Sequence, residues 1–276
     1  MRKQGFKKML LNSTTYKYFL WSLKLGVIIN IYFLLQTIET KIADVDPFLL
    51  IPAQILFFVS AYRCLFPVGY VKNIVLHDTI FSSIFLTRLL ATFVEITYIY
   101  MFSYVLRIVN VGEFFLLDML SWIMVIQVTV SQGFVWGAIL FQREKYYYFE
   151  EFGWAIIFAL NTFISLLIFL YGNSYDQYKI LIQLNLIFGA LYLPWQFIHL
   201  RSISSRVSKS KLLDSKIEEI SYKLFIIGLK KSLFYREQTS KPDAWGGLVG
   251  LTWMLNYWAT LIPVWLYFII YTFASS

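Results

Sequence analysis

Cysteine is almost missing from this chain. Cys64 stands alone, so no intrachain disulfide can form, and CxxC redox chemistry or a cysteine zinc site has no ligands to draw on. Its expected role is that of a small apolar packing residue. The two histidines, His77 and His199, are too few for the multi-histidine di-iron sites of desaturases and hydroxylases. Charge is scarce as well: 14% of residues are Asp, Glu, Lys or Arg, against about 25% in soluble domains. The patterns GxSxG, HExxH and GxxxxGK[ST] do not occur, nor do aspartate-rich prenyl-diphosphate motifs or zinc-finger spacings. Serine hydrolase, zincin, P-loop and prenyltransferase readings therefore lack their required residues. No lysine falls in the last apolar run, 247–272, which excludes a retinal Schiff base there.

What the chain has in place of these is apolar sequence, 59% hydrophobic and 20% aromatic over 276 residues. A helix crossing a bilayer needs about 20 mostly apolar residues. Seven stretches qualify, at roughly 19–38, 48–66, 80–106, 115–141, 153–171, 180–199 and 247–272. The expected fold is all-α, a polytopic integral membrane protein built as a single helical domain over 1–276. Its source membrane, plasma or organellar, is not distinguished by composition.

The charges agree with this. The N-terminal segment and the connections at 67–79, 142–152 and 200–246 hold 18 of the 24 Lys and Arg residues. The connections at 39–47, 107–114 and 172–179 hold Lys41, Arg107 and Lys179. By the positive-inside rule the amino terminus is expected in the cytoplasm and the carboxyl terminus on the far side. The net charge of +8 thus follows membrane topology and does not point to nucleic acid. The basic start reads as a cytoplasmic lead-in to a retained helix, not a cleaved signal. Between spans six and seven, Leu213, Ile217, Ile220, Leu224 and Ile227 recur at helical spacing among Lys216, Lys223, Lys230 and Lys231. That pattern predicts one cytoplasmic amphipathic helix in the headgroup plane, or a target for a partner helix.

Polar residues inside apolar spans are the candidates for function, because charge there costs about 2.5–3.5 kcal/mol or more. Arg63, Arg88 and Glu95 are of this kind, with Arg88, Thr92 and Glu95 on one helical face and Arg88 expected near mid-layer. Lys24, early in span one, and Arg63 can also snorkel to the headgroups. Gln127, Ser131 and Gln132, then Asn161 and Ser165, then Thr252, Asn256 and Thr260 follow in later spans. Asn185, Gly189, Tyr192, Gln196 and His199 form the clearest stripe. Individually such residues serve as interhelical glue; with Arg88 they are expected to line a polar vestibule open to the cytoplasm. Glu150 and Glu151 are expected at the start of span five, where carboxylates complement the helix dipole.

Three functions fit these residues. One is an enzyme acting on a lipid or other amphiphile, with His77 and His199 as titrating bases and Asp78 or Glu151 orienting one of them. Arg63, Arg88, Glu95, Gln132, Asn161, Gln196 and Asn256 would bind its substrate. A metal, if bound, would draw on His77, His199, Asp78 and Glu150. Another is a transporter or channel for a small anionic solute held by Arg88. The last is a noncatalytic subunit or receptor, alone, as a homo-oligomer or with a protein partner.

Overall fold

A computed structural model describes residues 13–39, 45–69, 73–172, 178–213 and 221–274. The basic lead-in over residues 1–12 lies outside these, as do Lys41, Lys216, Ile217 and Ile220. The long elements are helices: α1 (Ser13–Glu39), α2 (Pro47–Leu65), α3 (Ile84–Asn110), α4 (Phe115–Leu140), α5 (Glu144–Tyr171) and α6 (Lys179–Leu213). After α7 (Tyr222–Phe234) comes a composite segment of α8 (Gly247–Met254), a π turn (Leu255–Ala259) and α9 (Leu261–Ala274). Seven segments are long and apolar enough to cross a bilayer, α8 to α9 counting as one. Their outer faces carry bare apolar side chains, Leu191 at 70% exposure and Phe93 at 60%, as lipid contact requires. The chain is a multi-pass, all-α integral membrane protein.

Several boundaries differ from expectation, each for a local reason. The third span was expected from residue 80, but Ile80–Ser82 is a single 3-10 turn and Ser83 is extended, so α3 starts at Ile84. The fifth begins nine residues before the expected 153, because the tyrosine-rich KYYYFEE stretch continues the helix. Glu150 and Glu151 therefore lie in its second turn, beyond the reach of end-capping. The sixth runs on to Leu213.

Contacts divide the chain into two compact units: the residues up to Val94 with Ile227–Tyr271, and Glu95–Ile226 with the residues from Thr272. In the first unit Asp46 starts α2 as its sequence predicts. Its carboxylate accepts from the Phe48 N–H at 2.8 Å, and Pro47 occupies the first turn, where no N–H is missed. At the other end Lys24 of α1 donates to the carbonyls of Cys64 (3.2 Å) and Leu65, placing positive charge on the helix C-terminus. Lys24 is thus a cap rather than a snorkelling side chain. The two helices run antiparallel, with Gln54 donating to the Thr37 carbonyl at their far end (3.2 Å). Gly26 is where α1, α2 and the last span meet: a Cβ there would lie 2.6 Å from the Ala259 Cβ and 2.8 Å from the Cys64 sulfur. Cys64 is buried packing, as expected.

The last span is broken by its own sequence. Pro263 has no N–H to return to the preceding turn, which widens to a π turn with Thr260 N–H bonded back to Leu255 (3.0 Å). The Trp258 carbonyl is satisfied from outside, by the Asn30 amide at 2.8 Å. Three two-residue strands complete the unit: β1 (Val68–Gly69) pairs antiparallel with β2 (Ile74–Val75), and β2 pairs parallel with β3 (Glu237–Gln238). Gln238 donates to Leu76 (3.0 Å) and Arg236 to Asp78 (2.8 Å), tying the connection after α2 to the one before α8.

The second unit is a run of antiparallel hairpins. Asn110 closes the α3–α4 turn, donating to Asp118 (2.8 Å) and to the Phe114 carbonyl (3.0 Å). Arg107, expected in this connection, lies in the last turn of α3, bonded to Ser103 and Ser121 and stacked 4.1 Å from the Trp122 ring. Between α5 and α6, a Cβ on Gly189 would sit 2.0 Å from the Thr162 hydroxyl, so only glycine allows this approach.

α7 covers the latter part of the predicted amphipathic stretch. It buries its small residues Gly228 and Ser232, while Ile227 is 38% exposed along with Lys223, Lys230 and Lys231. Ile217 and Ile220 of the predicted stripe lie outside the described residues.

Candidate functional site

In the first unit, Arg63 is buried and stacks its guanidinium 4.5 Å from the Trp258 ring, so it does not reach out to headgroups. Arg88 is 1% exposed. Because α3 begins at Ile84, Arg88 lies four residues, about 6 Å, into the helix. Thr92 turns its hydroxyl back to the Arg88 carbonyl (3.0 Å), a local bond of the helix itself. His77 is half-buried with its ring edge-on to Trp21, the centroids 5.2 Å apart. Burial and, secondly, the nearby Lys24 charge hold its pKa below the ordinary 6.5. Asp78 does not orient it, since that carboxylate accepts from Arg236.

Asn256 also departs from expectation. Thr252, Asn256 and Thr260 are all exposed, and Tyr257, Trp258 and Ala259 take the inward face. Both threonine hydroxyls bond to carbonyls of their own helix, at 2.8 and 3.0 Å. The stripe that the spacing predicts exists and points away from the interior.

In the second unit the predicted stripe on α6 is buried throughout: Asn185, Gly189, Tyr192, Gln196 and His199 all face inward. Opposite them α5 supplies its own polar residues in the reverse order, as antiparallel packing demands. At one end Asn161 donates to Asn185 (2.7 Å), which donates in turn to Ser165 (2.6 Å). A layer of rings follows, Tyr192 against Phe158 at 4.5 Å and Trp154 against Phe158 at 6.0 Å.

At the other end Glu151, Gln196 and His199 come together. The Gln196 amide donates to the Glu151 backbone carbonyl (2.7 Å) and to its carboxylate (3.0 Å). His199 Nε2 stands 3.5 Å from the second carboxylate oxygen, and the imidazole lies flat on Trp195, centroids 5.1 Å apart and planes 12° from parallel. Tyr147 adds a further hydrogen bond to Glu151. Glu150 is buried beside it, close enough for its charge to act on Tyr192. A separate pair, Gln132 donating to Glu95 at 3.0 Å, joins α3 to α4.

Three buried atoms of this cluster, both ring nitrogens of His199 and Gln196 Oε1, have no hydrogen-bond partner among the described residues; Nε2 has the Glu151 carboxylate 3.5 Å away, and Nδ1 and Oε1 remain. Buried polar atoms cost about 1–3 kcal/mol when unmatched, so such a pair one helical turn apart suits a ligand that can donate. Among the described residues no three His, Cys, Asp or Glu side chains group as a metal would require. Of the set His77, His199, Asp78 and Glu150, the first and third belong to the first unit and the other two to the second. Tyr147 and Trp195 were missed from the sequence, where each is one aromatic among 55. Comparison with protein-family models, curated proteins and solved structures gives no match to this chain, so the site is read from its own chemistry.

Proposed function

We propose that the chain is a membrane-embedded enzyme acting on a lipid or similar amphiphile, with His199 as general base. The observation that carries this is the buried imidazole held between Glu151 and Trp195 with Nδ1 left for a substrate hydroxyl or water. Proton transfer to Nδ1 would activate that oxygen for attack on an ester or phosphoester, the C–O or P–O bond to the leaving alcohol breaking as the imidazolium returns the proton to its oxygen, while Glu151 stabilises the imidazolium and Gln196 Oε1 accepts a second substrate donor.

Depth supports a lipid. The α5 and α6 spans are each 27 residues, about 40 Å, which matches a bilayer with its headgroups. Glu151 is six residues inside one and His199 six inside the other, about 9 Å from their ends. That is the boundary between headgroups and acyl chains. The same end carries the basic connections, which supports a cytoplasmic position by charge bias, with the amino terminus inside.

The test is incubation of the purified protein in nanodiscs of defined phospholipids, with lipid species followed by mass spectrometry. His199→Gln is expected to slow turnover 10²–10⁴-fold and Glu151→Gln to slow it substantially, with His77→Gln near wild type. Turnover that survives His199→Gln contradicts the proposal. A second reading, transport of a small anion, is favoured by the buried Arg88; proteoliposome flux lost in Arg88→Gln, without lipid turnover, would select it.

A further inference from the structure

The outward stripe of the last span has no role in that proposal. Asn256 lies nine residues, about 13 Å, beyond Gly247, inside the apolar layer. Its face continues into Val264 and Tyr271, 50% and 61% exposed, side chains suited to lipid. Thr252 and Thr260, one turn to either side, satisfy their hydroxyls on their own helix. The Asn256 carboxamide is exposed and has no hydrogen-bond partner among the described residues. An amide facing hydrocarbon is unfavourable, and no water is present there to take its place.

We infer that this face is a self-association surface, on which Asn256 hydrogen-bonds to Asn256 of a second copy of the chain. Self-pairing follows from the chemistry of the group. A carboxamide carries both donor and acceptor, so two of them across a two-fold axis satisfy each other. A carboxylate or an ammonium on a different partner would satisfy only half of it. The flanking threonines at four-residue spacing are small enough for two helices to approach closely, as membrane interfaces require. The contact is isologous and closes at the dimer.

The experiment uses the full chain, labelled through a terminal tag and reconstituted in liposomes over a range of protein-to-lipid ratios, with energy transfer reporting association. A saturating dimer signal is expected. Asn256→Leu should move its midpoint about tenfold towards higher protein density, the size of one interhelical amide bond, and Asn256→Gln should keep it. In parallel, Thr260→Cys is expected to form a disulfide-linked dimer under mild oxidation, and Ile262→Cys, on the buried face, is not. Energy transfer at chance level at every density overturns the inference, as does a midpoint unchanged in Asn256→Leu. Cross-linked ladders beyond the dimer overturn the two-fold geometry.

Discussion

His199 and Glu151 illustrate how far helical spacing carries at the level of single residues. Both were legible as candidates, His199 as the last member of a polar stripe and one of two histidines, Glu151 as a carboxylate at the start of the neighbouring span. The stripe from Asn185 to His199 was legible as a face, and it is buried along its whole length. The stripe from Thr252 to Thr260 was equally legible and faces outward, because periodicity defines a face without saying which way it turns. Two residues allow direct tests. Gly189→Ala should destabilise the α5–α6 pair by about 1–3 kcal/mol, seen as a lower unfolding temperature in detergent, since its Cβ would meet the Thr162 hydroxyl. His77 tests burial through pH. Its folded pKa lies below the ordinary 6.5, so the unfolded chain binds the extra proton. Its contribution is constant above about pH 6.5 and falls as the pH drops toward the folded pKa. Thermal melts from pH 7.5 downward should therefore show an acid-side decline that His77→Gln makes shallower.

Among the elements, most helices could be read from hydrophobic length alone, and the start of α2 from Asp46-Pro47. The three short strands could not, because two residues carry no periodicity and the pairing of β2 with β3 joins positions about 160 apart in sequence. Nor could the π turn. Pro263 announces a fault in the last span, but its consequence depends on Asn30 more than 200 residues earlier. That coupling is testable: Asn30→Leu should cost about 1–3 kcal/mol by leaving the Trp258 carbonyl unmatched. In a Pro263→Ala background, where an N–H returns to the turn, the same change should cost less. Unfolding midpoints of the two single variants and the double variant measure that non-additivity. The spacing in and before α7 suggested a helix in the headgroup plane; that its small Gly228 and Ser232 are the residues it buries was not legible there.

For the whole molecule, membrane insertion follows from composition, and orientation is argued from the placement of Lys and Arg. The pairing of β2 with β3 adds a structural constraint, since it holds the connections on either side of them at one end of the first unit. With Cys64 buried and unreactive to bulky reagents, single cysteines can map the two sides. Lys230→Cys should react with an impermeant maleimide only from the cytoplasmic side, and Val111→Cys, 64% exposed in the native residue, only from the opposite one. The reverse pattern would invert the assigned topology and move the His199 end of the molecule to the other leaflet.

The His199–Glu151 pair itself can be observed without knowing the substrate. The chain has two histidines, so His77→Gln leaves a single imidazole for nitrogen-15 magnetic resonance in lipid bilayers. The spectrum of the neutral imidazole should show Nε2 carrying the proton toward Glu151 and Nδ1 bare, with the pattern lost in Glu151→Gln. A proton on Nδ1 with Nε2 bare, or a spectrum indifferent to Glu151→Gln, would contradict a base held ready by its carboxylate.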